Sequence, residues 1–165
     1  MPNTLVQNKS LSVWLSYISP DAIILSGGND IGQYASRDNT ELQLLQYAED
    51  KNLPVLGICR GMQFLAHYFE VGLKKVENHV SIRHKLVLNK HDYGDQEGSV
   101  NSFHNLSIES CPSGFEVSAT SYDSNIEAIV NYEKRWEGWM WHPEREHKFL
   151  ESDLIRAQKL LIEKR

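Results

Sequence analysis

The ten residues Pro54-Val55-Leu56-Gly57-Ile58-Cys59-Arg60-Gly61-Met62-Gln63 constrain the fold more than any other stretch of this chain. They read as a short apolar strand, a sharp turn carrying a cysteine between two glycines, and the start of a helix. A residue at such a turn is forced into an unfavourable backbone geometry, so its neighbours on both sides must be small. Gly57 and Gly61, each two residues from Cys59, supply that room. The turn also sets the sulfur near the first free N–H groups of the following helix, where a thiolate is stabilised. Two readings of Cys59 remain open at this point: a nucleophile, or a buried core thiol, since cysteine is among the most buried residue types.

The flanking sequence places the turn in a sheet. Residues 10–18 carry Leu11, Trp14, Leu15 and Ile18 at helical spacing. Asp21-Ala22-Ile23-Ile24-Leu25 is an apolar run that opens into Ser26-Gly27-Gly28-Asn29-Asp30, hence a buried strand and a loop. A helix is predicted over 40–50, capped by Asp38 or Asn39, with Leu42, Leu45 and Ala48 inward. Two apolar runs separated by a helix predict a βαβ unit and a parallel sheet. The second half holds short strand candidates at 85–88, 115–119, 126–130 and 138–141, and a polar, glycine-containing loop at 91–99. A terminal helix is predicted over 149–165, with Leu150, Leu154, Ala157 and Leu161 on one face.

A chain of 165 residues fits a single domain, 1–165, and no repeat or linker divides it. The net charge of −5, with no basic stripe, argues against a nucleic acid polymer as partner. No apolar run approaches the ~20 residues that span a bilayer. Two cysteines, Cys59 and Cys111, make no disulfide framework, so a reducing cytoplasm is the expected setting.

A second motif stands near the C-terminus, Trp141-His142-Pro143-Glu144. His142 and Glu144 are two apart, so in an extended segment both side chains point the same way. A carboxylate can then hold the imidazole while its other nitrogen serves a nucleophile. Cys59 and His142 both follow strands, and open α/β sheets place their sites at the carboxyl ends of strands.

With Gly-Ile-Cys-Arg-Gly-Met-Gln at 57–63 and His-Pro-Glu at 142–144, the chain resembles the class I glutamine amidotransferase family, in its γ-glutamyl hydrolase (peptidase C26) branch. Leu-Ser-Gly-Gly-Asn-Asp at 25–30, Val-Asn-Ser-Phe-His at 100–104 and Asn-Ile-Glu-Ala at 125–128 resemble further segments of that branch. Within it, Ile-Leu-Ser-Gly-Gly-Asn-Asp, Ala-His-Tyr-Phe at 66–69 and Glu-Asn-His at 77–79 are similar to the γ-glutamyl-CDP-amidate hydrolases of capsule phosphoramidate biosynthesis. The resemblance implies a flavodoxin-like α/β fold, an open, mostly parallel sheet flanked by helices. It implies Cys59 as nucleophile, His142 as general base and acid, and Glu144 as the group that orients the imidazole. It implies an oxyanion hole from the backbone N–H groups of Gly28 and Arg60. It further implies a substrate pocket with Gln63, Asn101, Ser102 and Phe103, the last three partly through backbone groups. The implied reaction is hydrolysis of a small-molecule γ-glutamyl amide through a cysteine thioester, with no cofactor. A glutaminase that feeds ammonia to a synthetase partner, and a non-catalytic truncated relative, are the competing expectations.

Several residues keep two readings. Arg60 and Arg145 suit either phosphate contacts or salt bridges. His104 lies beside the substrate segment, and its role stays open. His79 and His84 together suggest a metal, but no carboxylate or cysteine completes a ligand set at the usual spacing, so no metal is expected. Met1-Pro2-Asn3-Thr4-Leu5 reads as starting after the family's opening strand and helix, so the sheet is expected to lack them and to leave apolar neighbours uncovered.

Overall fold

The computed structural model describes residues 10–89 and 99–163. The loop expected over 91–99 lies outside them except for Ser99. In chain order the elements are α1 (Ser10–Ile18), β1 (Ile23–Leu25), α2 (Ala35–Lys51), β2 (Val55–Ile58), α3 (Arg60–Tyr68), β3 (Leu73–Lys75), β4 (Val80–Leu88) and β5 (Ser99–Phe103). They continue as β6 (Leu106–Ile108), β7 (Glu116–Ser121), β8 (Ile126–Asn131), β9 (Trp136–Trp139), a 3₁₀ turn (Pro143–Arg145) and α4 (Glu151–Leu161).

Seven strands form one mixed sheet in the order β1-β2-β9-β8-β7-β4-β5, and β3 pairs with β6 in a second. The parallel part is β1-β2-β9, which carries the cysteine turn and the approach to His142. From β9 to β5 all neighbours are antiparallel. The α/β architecture is the expected one.

Strand alternation sorts the core into two layers. Ile23, Leu25 and Val55 pack with Leu45 and Met62 on the α2/α3 face, while Leu56, Ile58 and Trp139 pack with Leu160 on the α4 face. A Cβ on Gly138 would lie 2.6 Å from Met62 Cγ, so glycine there lets α3 sit against β9. Ile24 faces the α4 side and is 59% exposed, on a strand that is the sheet edge among the described residues.

Two helices differ from expectation for one reason. α2 starts at Ala35, and its N-cap Tyr34 makes no side-chain cap. Asp38 falls in the first turn instead, where its charge suits the helix N-terminus, and it accepts a 2.8 Å hydrogen bond from Gly32 N–H. The inward stripe of α2 runs Glu41-Leu45-Ala48, and Leu42, expected inward, is 38% exposed. In α4 the stripe runs Asp153-Ala157-Leu160, which leaves Leu154 at the surface. Each stripe includes a carboxylate with an interior partner, so apolar spacing alone assigns the wrong phase.

Asp153 has a measurable consequence. Burial raises its carboxyl above the usual range, although Trp141 Nε1–H donates to it at 3.2 Å. Folded protein therefore holds this proton to higher pH than unfolded chain, and stability is lost as pH rises between the two pKa values. Asp153→Asn keeps the acceptor without the charge. Its Tm is expected to exceed that of the unsubstituted protein at pH 7, with the gain vanishing below about pH 4. Calorimetry across that window reads the effect, and equal gains at both ends would refute it.

Candidate active site

Cys59 directly follows β2 and caps α3 at φ 51°, ψ −106°. Such a conformation costs a non-glycine residue about 1–3 kcal/mol and persists only where the surroundings enforce it. The enforcement is close backbone packing. A Cβ on Gly57 would lie 2.6 Å from the Gly61 carbonyl, and one on Gly61 would lie 2.2 Å from the Leu25 carbonyl oxygen. Cys59 N–H donates to Trp139 O at 2.6 Å, which ties the turn to β9.

Because β9 runs parallel to β2, its continuation leaves the sheet at the same end as Cys59. Trp139 and Trp141 stack with ring centroids 5.5 Å apart, and His142 follows. The Asn101 amide clamps the His142 backbone: Oδ1 accepts from His142 N–H at 2.9 Å, and Nδ2 donates to His142 O at 2.8 Å. His142 Nδ1 lies 2.6 Å from Glu144 Oε1. The carboxylate accepts only, so Nδ1 carries the proton and a neutral ring keeps its lone pair on Nε2. The imidazole also packs on Gly27, where an added Cβ would come within 2.7 Å of Cε1.

The glycine loop is braced from outside. Arg37 Nη2 donates to Ser26 O at 2.9 Å and Gly27 O at 3.1 Å, and its Nη1 fills the space a Cβ on Gly28 would take. Arg37 Nε reaches Glu41 at 2.8 Å, and Glu41 also accepts from the buried Arg60 guanidinium, which pairs with Asp38 as well. One ion network thus joins the glycine loop to the residue after the cysteine. It also occupies the Arg60 guanidinium, which excludes a phosphate contact there. Arg37 and Glu41 carry no signal in the sequence, since a charged i,i+4 pair on a helix usually faces solvent.

The cysteine itself departs from expectation. Burial, above all else, pushes the Cys59 thiol up to about 11. The Arg60 backbone N–H at the sulfur and the Arg145 charge pull it back only in part, while the Glu144 and Glu127 carboxylates push it further up. The helix start does not make a resting thiolate here, because desolvation outweighs it.

The residues expected to line a pocket divide into two groups. Gln63 Nε2 donates to Leu106 O at 2.9 Å, and Ser102 Oγ donates to His79 O at 2.7 Å. The side chains of Gln63, Asn101 and Ser102 thus brace the strands around the site. Phe103 instead meets the His142 ring edge-on at 5.9 Å, with the Arg145 guanidinium 4.5 Å above its own ring. Asn101 also donates to Glu146, whose carboxyl burial would raise but Arg83 and Asn101 hold below the usual range. On the α4 face a groove of about 300 Å³, walled by Leu56, Ile58 and Trp139, reaches Gly27 and Glu144 at its rim. Behind β5 the fold gathers His79, His84 and His104 around Glu127, the carboxylate that the sequence spacing of the histidines did not offer. Among the described residues, His79, His104 and Glu127 are the group able to hold a metal ion.

These features are those of a strained cysteine turn at the same sheet end as a His-Glu pair. The family described as glutamine amidotransferase class-I matches residues 2–160, and the chain belongs to it. A curated relative, the γ-glutamyl-CDP-amidate hydrolase of Campylobacter jejuni, is 34% identical over 86% of this chain and 70% of its own length. The glutamine-hydrolysing GMP synthase of Ruthia magnifica is 31% identical over 82% of this chain, but only 27% of that longer enzyme is matched. A solved structure from Thermoplasma acidophilum, described as a GMP synthase subunit, superposes with TM-score 0.74 at 25% identity. That match covers 94% of this chain and 76% of the other.

Proposed function

We propose that this protein hydrolyses γ-glutamyl amides through a thioester on Cys59. The observation that carries this reading is the strained Cys59 at the end of β2, beside a His142 whose Nδ1 is held by Glu144 on the continuation of the neighbouring parallel strand. The thiol is protonated at rest, so attack on the γ-carbonyl is coupled to proton transfer from sulfur to His142 Nε2. Glu144 stabilises the imidazolium that results. The Gly28 and Arg60 N–H groups receive the carbonyl oxygen as it gains charge, a contribution worth about 10²–10³ in rate per donor. Collapse expels the amine, which takes the proton from His142. Water then attacks the thioester with His142 as base, and glutamate leaves.

The leaving amine is assigned by similarity: the Campylobacter relative supports γ-glutamyl-CDP-amidate. Arg145 stands at the mouth, stacked on Phe103, and suits a phosphate on that leaving group. Arg145→Ala is expected to raise KM for γ-glutamyl-CDP-amidate about tenfold, the loss of one charge-assisted contact, with little change for a neutral γ-glutamyl anilide. An equal effect on both substrates would remove the phosphate role.

The GMP synthase relatives favour a second reading, a glutaminase that hands ammonia to a separate synthetase. Glutamate release from a panel containing glutamine, γ-glutamyl anilide and γ-glutamyl-CDP-amidate separates the two. Turnover of the nucleotide substrate by the isolated protein supports the hydrolase. Turnover of glutamine alone, and only with a synthetase present, supports the ammonia-delivering glutaminase.

A further inference from the structure

Glu127 is 0% exposed as the second residue of β8, followed by the apolar run Ala128-Ile129-Val130. His79 precedes β4 and is 2% exposed, His104 follows β5 and is 4% exposed, and His84 lies within β4. Three ring nitrogens converge on the carboxylate. His79 Nδ1 and His104 Nε2 lie 3.4 and 3.6 Å from Oε1, and His84 Nε2 lies 3.6 Å from Oε2. None of these five buried atoms makes a hydrogen bond to the described residues. Each buried unsatisfied group costs about 1–3 kcal/mol, so five in one pocket call for an occupant.

The far sides of the rings define what that occupant is. His79 Nε2 is 2.9 Å from Asp123 Oδ2, and Asp123 is itself held by the Ser121 hydroxyl and the Asn125 amide. His104 Nδ1 is 3.1 Å from the Leu106 carbonyl. A carboxylate and a carbonyl accept only, so those two nitrogens carry the ring protons. In the neutral rings His79 Nδ1 and His104 Nε2 therefore aim lone pairs inward, toward a carboxylate that adds more. Two imidazole lone pairs facing a carboxylate form a donor set that suits a cation.

The spacing agrees. Tetrahedral zinc with ligand bonds of about 2.0–2.1 Å sets its donors ~3.4 Å apart, near the 3.4 and 3.6 Å found here, and all three donor atoms lie within 4.8 Å of one another. The Asp123 carboxylate and Leu106 carbonyl behind the rings match the outer partners that fix metal-bound imidazoles. We infer that His79 Nδ1, His104 Nε2 and Glu127 Oε1 form a binding site for a divalent transition metal ion, zinc by ligand chemistry, with His84 Nε2 lying 3.6 Å from the second carboxylate oxygen.

The site is structural. It ties β8 to the end of the β4–β5 pair where β4 starts and β5 stops, and Ser102 binds the His79 carbonyl directly beside Asn101, the residue that clamps His142. Metal occupancy is therefore expected to raise Tm and leave the chemical steps to Cys59 and His142.

The test uses the full chain carrying Cys59→Ser, which removes a competing thiol–imidazole site. Metal-stripped protein is titrated with Co²⁺ alone and read by visible d–d absorption, then with Zn²⁺ as competitor. The expected result is one equivalent of Co²⁺ with a low-symmetry four- or five-coordinate spectrum, displaced by Zn²⁺. Glu127→Gln and His104→Gln are each expected to weaken binding at least 100-fold, and Asp123→Asn by about 10–100-fold. The unsubstituted pocket stands as the primary readout should a variant fail to fold. Absence of the cobalt spectrum would overturn the inference, with ¹⁵N ring shifts of protonated imidazoles then identifying protons as the occupant. Unchanged affinity in folded Glu127→Gln would overturn it too, since the metal would sit elsewhere.

Discussion

Cys59→Ala is expected to abolish glutamate release from every γ-glutamyl amide, a loss of roughly 10⁵–10⁶-fold, as for removal of a nucleophile from a working triad. The size follows from the geometry. In the proposed reaction Cys59 supplies the attacking sulfur, Cys111 packs against the α2/α3-side core, and the binding contacts left behind would give only residual catalysis. The same position tests the backbone. Cys59 holds φ 51° in α3's cap position, which alanine tolerates no better than cysteine. Glycine carries no such penalty, so Cys59→Gly is expected to be more stable than Cys59→Ala by about 1 kcal/mol, the reverse of the usual order inside a helix. Residual activity within tenfold of the unsubstituted enzyme would remove Cys59 from the reaction. A glycine variant less stable than the alanine one would remove the strain.

The second large effect lies off the reaction path. Arg60 is buried with its guanidinium shared between Glu41 and Asp38, and it lies 5.3 Å over the Phe64 ring. Truncating one partner of a buried ion pair strands the other charges, so Arg60→Ala is expected to cost about 3–5 kcal/mol. In a chain of this size that corresponds to a fall in Tm of about 6–20 °C. Glu41→Gln is expected to cost less, because it keeps an acceptor for Arg60, and the Arg60→Ala/Glu41→Gln double variant should lose less than the sum of the two. Glu41→Gln should also lower kcat, since Glu41 holds Arg37 and Arg37 holds the loop that carries Gly28. Additive losses measured by denaturant unfolding would show that the pair does not act as a unit.

What the sequence discloses, it discloses through local chemistry. Gly57, Cys59 and Gly61 sit within five residues, and His142 and Glu144 within three, so steric need and side-chain direction are legible without the fold. The parallel strands β1 and β2 are legible from their apolar runs for the same reason. The phase of α2 and of α4 is not, because Glu41 and Asp153 point inward to Arg60 and Trp141, partners far away in the chain. The histidine cluster is half visible. His79 and His84 stand out together, and Glu127 ahead of an apolar run is the remaining signal, but only the β8–β7, β7–β4 and β4–β5 pairings bring them into one pocket. The Cys59 thiol departs from expectation for a related reason: a helix start is local, while the burial that overrides it comes from the whole α4-side core.

In the proposed reaction Cys59 takes a γ-glutamyl group with the help of His142. A glutamine-mimicking diazoketone, followed by peptide mapping by mass spectrometry, tests it most directly. A single adduct on Cys59 is expected, formed far more slowly in His142→Ala, with Cys111 unlabelled over the same time. An adduct on Cys111 at a matching rate, or labelling of Cys59 indifferent to His142, would contradict it.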